Sequence, residues 1–77
     1  MYYIQLSNTK WLGVGYTRVN FNPSNGPAMA QYKSITWAKK ALNRALYLGL
    51  VYNETPRIVT IDFSKVDTPI TEVINNG

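Results

Sequence analysis

Basic and polar side chains recur over a short stretch in the middle of the chain. Clustered lysines and arginines bind phosphates or acidic protein surfaces, and a neighbouring aromatic ring can stack on a base or anchor a protein contact. We therefore predict a partner-binding or nucleic-acid-binding site on this stretch, although an ordinary solvated helix face would have the same composition. The candidate residues are Lys33, Lys39, Lys40, Asn43, Arg44 and Tyr47.

Catalytic equipment is missing from the sequence. The absence of cysteine and histidine excludes Ser-His-Asp and Cys-His catalysis, zinc fingers, disulfides and histidine pH switches. Gly13-Val14-Gly15 lacks the third glycine and the lysine of a phosphate loop, and it indicates a strand bulge instead. The acids do not converge in sequence, so neither an acid–base pair nor a metal site is indicated. We predict a non-enzymatic protein without cofactor or metal.

Charge is distributed unevenly along the chain. The formal net charge is +4, from eight basic and four acidic residues. Residues 1–53 contain six basic groups and no acid, whereas all four acids follow from Glu54 onward. An excess of one sign over so much of the sequence favours negatively charged partners.

The length of 77 residues allows one domain only, and we predict a single domain over residues 1–77 with residues 75–77 frayed. The first residues contain no basic segment followed by an apolar run of signal-peptide length. No stretch approaches the roughly 18 apolar residues of a membrane span. These features favour a cytoplasmic location and no membrane partner.

The N-terminal half reads as strands. Residues 2–7 alternate as in a half-buried strand, with Tyr2, Ile4 and Leu6 facing the core and Tyr3 pointing outward. Residues 11–21 predict a second strand, in which the glycines indicate a bulge or the close approach of a bulky neighbour. The turn-forming residues at 22–27 predict a loop, and a short third strand is expected over roughly 29–33.

A helix capped by Ser34 is the strongest local prediction. Apolar residues at 35, 38, 41, 42, 45, 46 and 48 cover about half of its circumference. Trp37 falls at the margin of this face and is expected at the edge of the core. Gly49 is a plausible stop, with continuation to Tyr52 as the alternative.

The C-terminal part contributes a strand over residues 57–63, with Val59, Ile61 and Phe63 facing the core. Residues 68–74 fit either a short helix capped by Thr68 or an edge strand. The fold class is therefore α+β, with a small antiparallel or mixed sheet of three to four strands and one amphipathic helix on one face. The order is β-β-(β)-α-β plus a short C-terminal element.

Aromatic residues offer a second candidate surface, because stacking on unpaired bases and protein hot spots both use exposed rings beside basic residues. Tyr47, like Tyr3, is predicted to point outward. The remaining rings fit either the core or its rim: Trp11, Tyr32, Trp37 and Tyr52.

Several motifs recur in the same order in one class of proteins. They are Tyr2-Tyr3-Ile4, Trp11 to Gly15, Ala30 with Tyr32-Lys33-Ser34 and Ala38, Ala41 and Leu42, and Ile58-Val59-Thr60-Ile61. This arrangement resembles small accessory proteins of tailed phages and mobile elements of low-GC Gram-positive bacteria, and it covers most of the chain. The resemblance implies inhibition of a host factor, including CRISPR nucleases and other defence systems, and a location in the host cytoplasm. It carries over no functional residue.

Three functions are compatible with these observations. The first is a phage-type inhibitor that binds a host protein or nucleoprotein complex with an acidic surface; a DNA mimic is excluded because the chain is basic. The second is a small nucleic-acid-binding module that uses the basic helix face, where three or four phosphate contacts would give weak, salt-dependent binding. The third is a structural or virion component. The oligomeric state is open, and an unpaired edge strand could carry dimerisation.

Overall fold

A computed structural model of the chain describes residues 1–22, 28–64 and 70–73. The predicted fold class is confirmed: one helix packs against an antiparallel sheet. The described part of the sheet has five strands in the order β3-β2-β1-β4-β5, more than the three to four expected. The strands are β1 (Tyr2–Gln5), β2 (Trp11–Gly13), β3 (Thr17–Val19), β4 (Arg57–Ile61) and β5 (Ile70–Glu72), and the helix is α1 (Ile35–Tyr47).

The central strand β1 is covered on both faces. Its side chains alternate as predicted, but the prediction of half-burial is wrong, because Ile4 and Tyr3 point to opposite faces and both are buried. Tyr3 is only 2% exposed and its ring packs edge-on against Phe63, with centroids 5.6 Å apart. The alternation in β1 predicts that Tyr3 points to solvent, but a second apolar layer covers this face of the sheet.

Two apolar clusters therefore lie on opposite faces of the sheet. On the helix side, Ile4, Leu12 and Ile58 pack with the small residues of α1. On the other side, Trp11 and Val59 belong to a second buried cluster, which partly buried apolar side chains cover. The strand predicted over residues 57–63 is confirmed for Arg57–Ile61. Val59, Ile61 and Phe63, the last of which lies two residues beyond the strand, face this second cluster rather than the helix. The closing residues of the second cluster are Val19, Phe21, Ile61 and Phe63.

Helix α1 begins and ends at the predicted residues. The Ser34 side chain accepts a hydrogen bond from the Trp37 backbone N–H at 3.2 Å, which satisfies an N-terminal donor. At the other end Gly49 adopts a φ of 75°. The N–H groups of Gly49 and Leu50 bond back to the carbonyls of Leu46 and Ala45, as in a Schellman motif. The helix therefore does not continue to Tyr52.

The buried face of α1 is narrower than predicted. Its fully buried residues are Ala38, Ala41 and Ala45, with half-buried apolar neighbours beside them. Leu46 and Leu48 are exposed, contrary to the prediction that they belong to the core. Alanines let the helix axis approach the sheet closely, so only a narrow stripe contacts it and the flanking leucines remain outside.

This helix is too short to span a membrane, and no other helix occurs among the described residues.

The predicted second strand is divided by a turn. Tyr16 N–H bonds to the Gly13 carbonyl at 3.1 Å, and Gly15 and Tyr16 both have positive φ, so the chain reverses between β2 and β3. This hairpin replaces the expected bulge and adds a strand to the count. The expected third strand is reduced to two bridges, because residues 28–32 bond to β2 through Ala30 and to β1 through Tyr32.

Of the two structures predicted for the C-terminal element, a short helix or an edge strand, the edge strand is observed: residues 70–72 form β5, which pairs with β4. The start of that predicted element at Thr68 lies outside the described residues, as do residues 23–27 of the predicted loop and the expected fraying of residues 75–77.

Replacement of Gly13 by alanine is expected to destabilise the fold. A Cβ at this position would lie 2.5 Å from Thr17 Oγ1 and 2.7 Å from the carbonyl oxygen of Ala28, and the latter is backbone that cannot swing away. We expect Gly13→Ala to lose roughly 1–3 kcal/mol of unfolding free energy, as overpacking does, measured by urea denaturation. The matched control is Gly15→Asn in the same turn, where the site is open and asparagine tolerates a positive φ. An unchanged urea midpoint for Gly13→Ala would show that the contact is not tight.

Candidate functional site

A row of large side chains runs along the solvent side of α1. Trp37, Lys40, Arg44 and Tyr47 follow one another at spacings of three, four and three residues. At 3.6 residues per turn this spacing places all four within roughly 80° of one another around the axis. All four are exposed. We call them the basic–aromatic ridge.

The aromatic members of the ridge are unusually accessible. Trp37 is 61% exposed and Tyr47 is 82% exposed. Lys40 Nζ lies 4.6 Å from the centroid of the Trp37 ring, a cation–π contact that places a positive charge over the exposed indole. The contact couples one aromatic and one basic side chain into a single amphipathic unit at the surface.

No described acidic side chain forms an ion pair with the cations of the ridge. Helix α1 contains no acidic residue. Among the described residues the ion pairs are Arg18–Glu54 and Arg57–Glu72, so neither Lys40 nor Arg44 takes part in one. The ridge therefore presents two cations to solvent, and an anionic surface that approached it would meet no competing carboxylate from the helix.

The predicted site residues do not form one surface. Lys40, Arg44 and Tyr47 lie on the ridge. Lys39 is half-buried and lies about 100° around the axis from Lys40, on the other flank of the helix. Asn43 is exposed and lies about 40° around the axis from both Lys39 and Tyr47, so it borders the ridge, and Lys33 is exposed ahead of the helix cap. The geometry thus divides the predicted set into a ridge and three peripheral residues.

Trp37 is the ridge residue whose exposure differs from the prediction. It was expected at the edge of the core, yet most of its surface is in solvent. Its position three residues before Lys40 was a usable signal, since residues three apart are neighbours on a helix surface. The helix sequence alone does not predict this exposure, because the width of the buried stripe depends on how the helix packs against the sheet.

A second cluster of charged groups joins β3 to the segment after the helix. Arg18 Nη1 donates to the Leu50 carbonyl at 2.6 Å and to Glu54 Oε1 at 3.1 Å, and its guanidinium lies 4.3 Å from the centroid of Tyr52. The Tyr52 backbone N–H donates to the same carboxylate oxygen at 3.2 Å. Tyr52, which was predicted to lie either in the core or at its rim, is therefore a rim residue whose ring packs against the Arg18 guanidinium.

The same carboxylate borders an open polar cleft of about 430 Å³ at the end of the β1–β2 hairpin. Its charged residues are Glu54 and Arg57, and Arg57 Nε donates to Gln5 Oε1 at 2.5 Å. The two charges have opposite sign and both have protein partners, so the cleft has no preference for a charged ligand. The cleft is lined by Gln5, Ser7, Asn8, Thr9, Glu54, Thr55 and Arg57.

No cluster of three or more carboxylates that could hold a metal ion is found in residues 1–22, 28–64 and 70–73.

The Glu54 contacts predict an acid-sensitive contribution to stability. Burial raises the pKa of this carboxyl, but hydrogen bonds from Arg18, the Tyr52 backbone and Ser7 together with the Arg18 charge outweigh it, and the net pKa is lowered. A lowered pKa stabilises the fold above the unfolded-state pKa, and the gain is lost as pH falls through the folded-state pKa. Urea denaturation should show Glu54→Gln less stable than the wild type at neutral pH, with the difference shrinking in acid.

Glu72→Gln is the control, because it removes the same charge from a more exposed pair whose Arg57–Glu72 atoms are 3.7 Å apart. A pH-independent difference between Glu54→Gln and the wild type would contradict the role of the Glu54 charge.

Comparison with known proteins adds no relative. No family model matches the chain, and neither the curated proteins nor the solved structures contain a match. The resemblance to phage accessory proteins therefore stays a prediction, and the function has to be argued from the chain's own residues.

Proposed function

We propose that the protein is a non-enzymatic binding protein that attaches to an acidic surface of a partner protein through the basic–aromatic ridge. The observation that carries the proposal is the exposure of Trp37 and Tyr47 beside two cations on one line of the helix. Tryptophan and tyrosine are among the residue types that dominate protein interfaces.

The chemistry of the ridge favours a particular kind of partner surface. Tryptophan, tyrosine and arginine are enriched among hot-spot residues because each combines apolar area with a polar group. The two basic groups would steer an acidic partner toward the helix and set its orientation, while burial of the indole would supply most of the affinity. An acidic patch surrounding an apolar pocket fits both requirements.

The partner class comes from the resemblance described above. Small phage accessory proteins of this kind bind and inhibit host factors, so we extend the proposal to a host protein or nucleoprotein complex, such as a CRISPR or other defence nuclease, in the host cytoplasm. Inhibition by this route needs no catalytic group in the inhibitor, because occupation of a functional surface is sufficient.

A nucleic-acid-binding module is the alternative. Tyr47 supports it, since a ring that is 82% exposed beside Arg44 could stack on an unpaired base. The ridge provides only two cations on a convex helix, however, and binding through so few phosphates is weak and falls steeply with salt. The protein partner is therefore the preferred proposal.

The proposal predicts that two pairs of substitutions with the same charge change behave differently. Lys40→Gln/Arg44→Gln removes two charges from the ridge. Asn20→Asp/Gln31→Glu also lowers the net charge by two, at exposed positions outside the helix. We expect immobilised wild-type protein and the control to retain the same host protein from nuclease-treated lysate, and the ridge variant to lose it.

Trp37→Ala should weaken binding to the purified partner by about 2 kcal/mol, roughly thirtyfold.

Two outcomes would count against this function. Equal retention of the partner by the ridge variant and the control would show that the ridge is only a solvated face. Retention that disappears with nuclease, together with a gel shift of nucleic acid at low salt, would favour the nucleic-acid-binding module instead. Circular dichroism of every variant establishes that the fold is intact.

A further inference from the structure

Edge strand β5 has a hydrogen-bonding phase that can be derived from its pairing with β4. The N–H of Val73 donates to the Ile58 carbonyl at 2.8 Å, so these two residues form a hydrogen-bonded pair. Hydrogen-bonded and non-hydrogen-bonded pairs alternate along an antiparallel ladder. The next hydrogen-bonded pair is therefore Thr60–Thr71, and the backbone groups of Thr71 point inward to β4.

Ile70 and Glu72 have the opposite phase. They lie in non-hydrogen-bonded pairs with Ile61 and Val59, so their N–H and C=O groups point away from β4. Strand β5 ends the sheet of the described residues, and no described strand pairs with its outer edge. An edge of this kind is a template for one further strand.

We propose that the strand added at this edge is β5 of a second copy of the chain, paired antiparallel about a two-fold axis at Thr71. In this register Ile70 of each copy lies opposite Glu72 of the other. All four outward backbone groups of each β5 are then hydrogen-bonded. Thr71 of the two copies forms the central non-hydrogen-bonded pair, on the axis.

The side chain at the centre of the strand distinguishes this edge from the other one. Strand β3 carries Arg18 at its centre, where the guanidinium bonds to Glu54 and lies over the Tyr52 ring, so the same two-fold pairing would set two bulky, already engaged side chains against each other. At β5 the central residue is an uncharged threonine, a residue type that pairs well with itself across strands. Its neighbour Glu72 already lies 3.7 Å from Arg57 of the same chain.

Side-chain exposure supports the same edge. Ile70 is 39% exposed, and its partner across the ladder, Ile61, belongs to the apolar layer that covers the sheet face opposite α1. In the proposed register the aliphatic part of Glu72 of the second copy would lie beside Ile70 and shield part of it from water. Because only three residues pair, the dimer is expected to be weak and to form at high protein concentration.

The chain contains no cysteine, so a single introduced thiol reports the register without interference. In a central non-hydrogen-bonded pair the Cα atoms lie about 4.5 Å apart, within the range for a disulfide. We expect Thr71→Cys to form a disulfide-linked dimer at least tenfold faster than Thr36→Cys, an exposed threonine on the helix. Glu72→Cys should also be slow, since its thiols are diagonal neighbours with Cα atoms roughly 7–8 Å apart.

Sedimentation of the unmodified protein is the second measurement. The wild type and Glu72→Ala should shift from monomer to dimer as concentration rises. Glu72→Pro removes an outward N–H while leaving the inward ladder intact, and it should stay monomeric. The proposal is overturned if the wild type is monomeric throughout, or if Thr71→Cys crosslinks no faster than either other cysteine variant. A monomer that binds an added extended peptide at this edge would assign the edge to another protein.

Discussion

Burial of β1 on both faces is the constraint on which the rest of the structure depends. A small domain cannot usually cover both sides of a sheet with helices, and the described residues contain one helix, which covers one side. The opposite face is closed by side chains of the sheet's own strands and of residues just beyond their ends, among them Phe21 and Phe63, whose rings stack 6.1 Å apart. The single buried polar residue of the described core, Gln5, keeps a partner in Arg57.

The way in which the helix covers β1 also determines what is exposed. Ala38, Ala41 and Ala45 form the stripe of the helix that contacts the sheet, and their small side chains let helix and sheet approach closely. Their helical spacing places Trp37 and Tyr47 away from that stripe, on the outer side with the cations. The basic–aromatic ridge is thus the solvent side of a helix whose alanine stripe packs on the sheet.

Local signals were sufficient to predict much of this fold. Ser34 and Gly49 bounded the helix because caps act through neighbouring backbone groups, and β4 was recognised from its β-branched alternation. Tyr3 was misplaced because its burial depends on Phe63, which is distant in sequence. In the candidate site, Lys40, Arg44 and Tyr47 were correctly predicted to share a face, whereas Lys39 and Trp37 were misassigned because the width of the contact stripe is a tertiary property.

The geometry of the sheet connects the two proposed surfaces. When two antiparallel edge strands pair into one continuous sheet, the two-fold axis is perpendicular to that sheet, so equivalent faces of both copies lie on the same side. Pairing at β5 would therefore place both helices, and both ridges, on one side of the dimer. A partner with two acidic sites, or a repeated one, would then be bound with higher avidity than a single ridge allows. Because the edge contact is short, the partner's own geometry would decide whether the dimer forms at low concentration, which couples oligomeric state to binding.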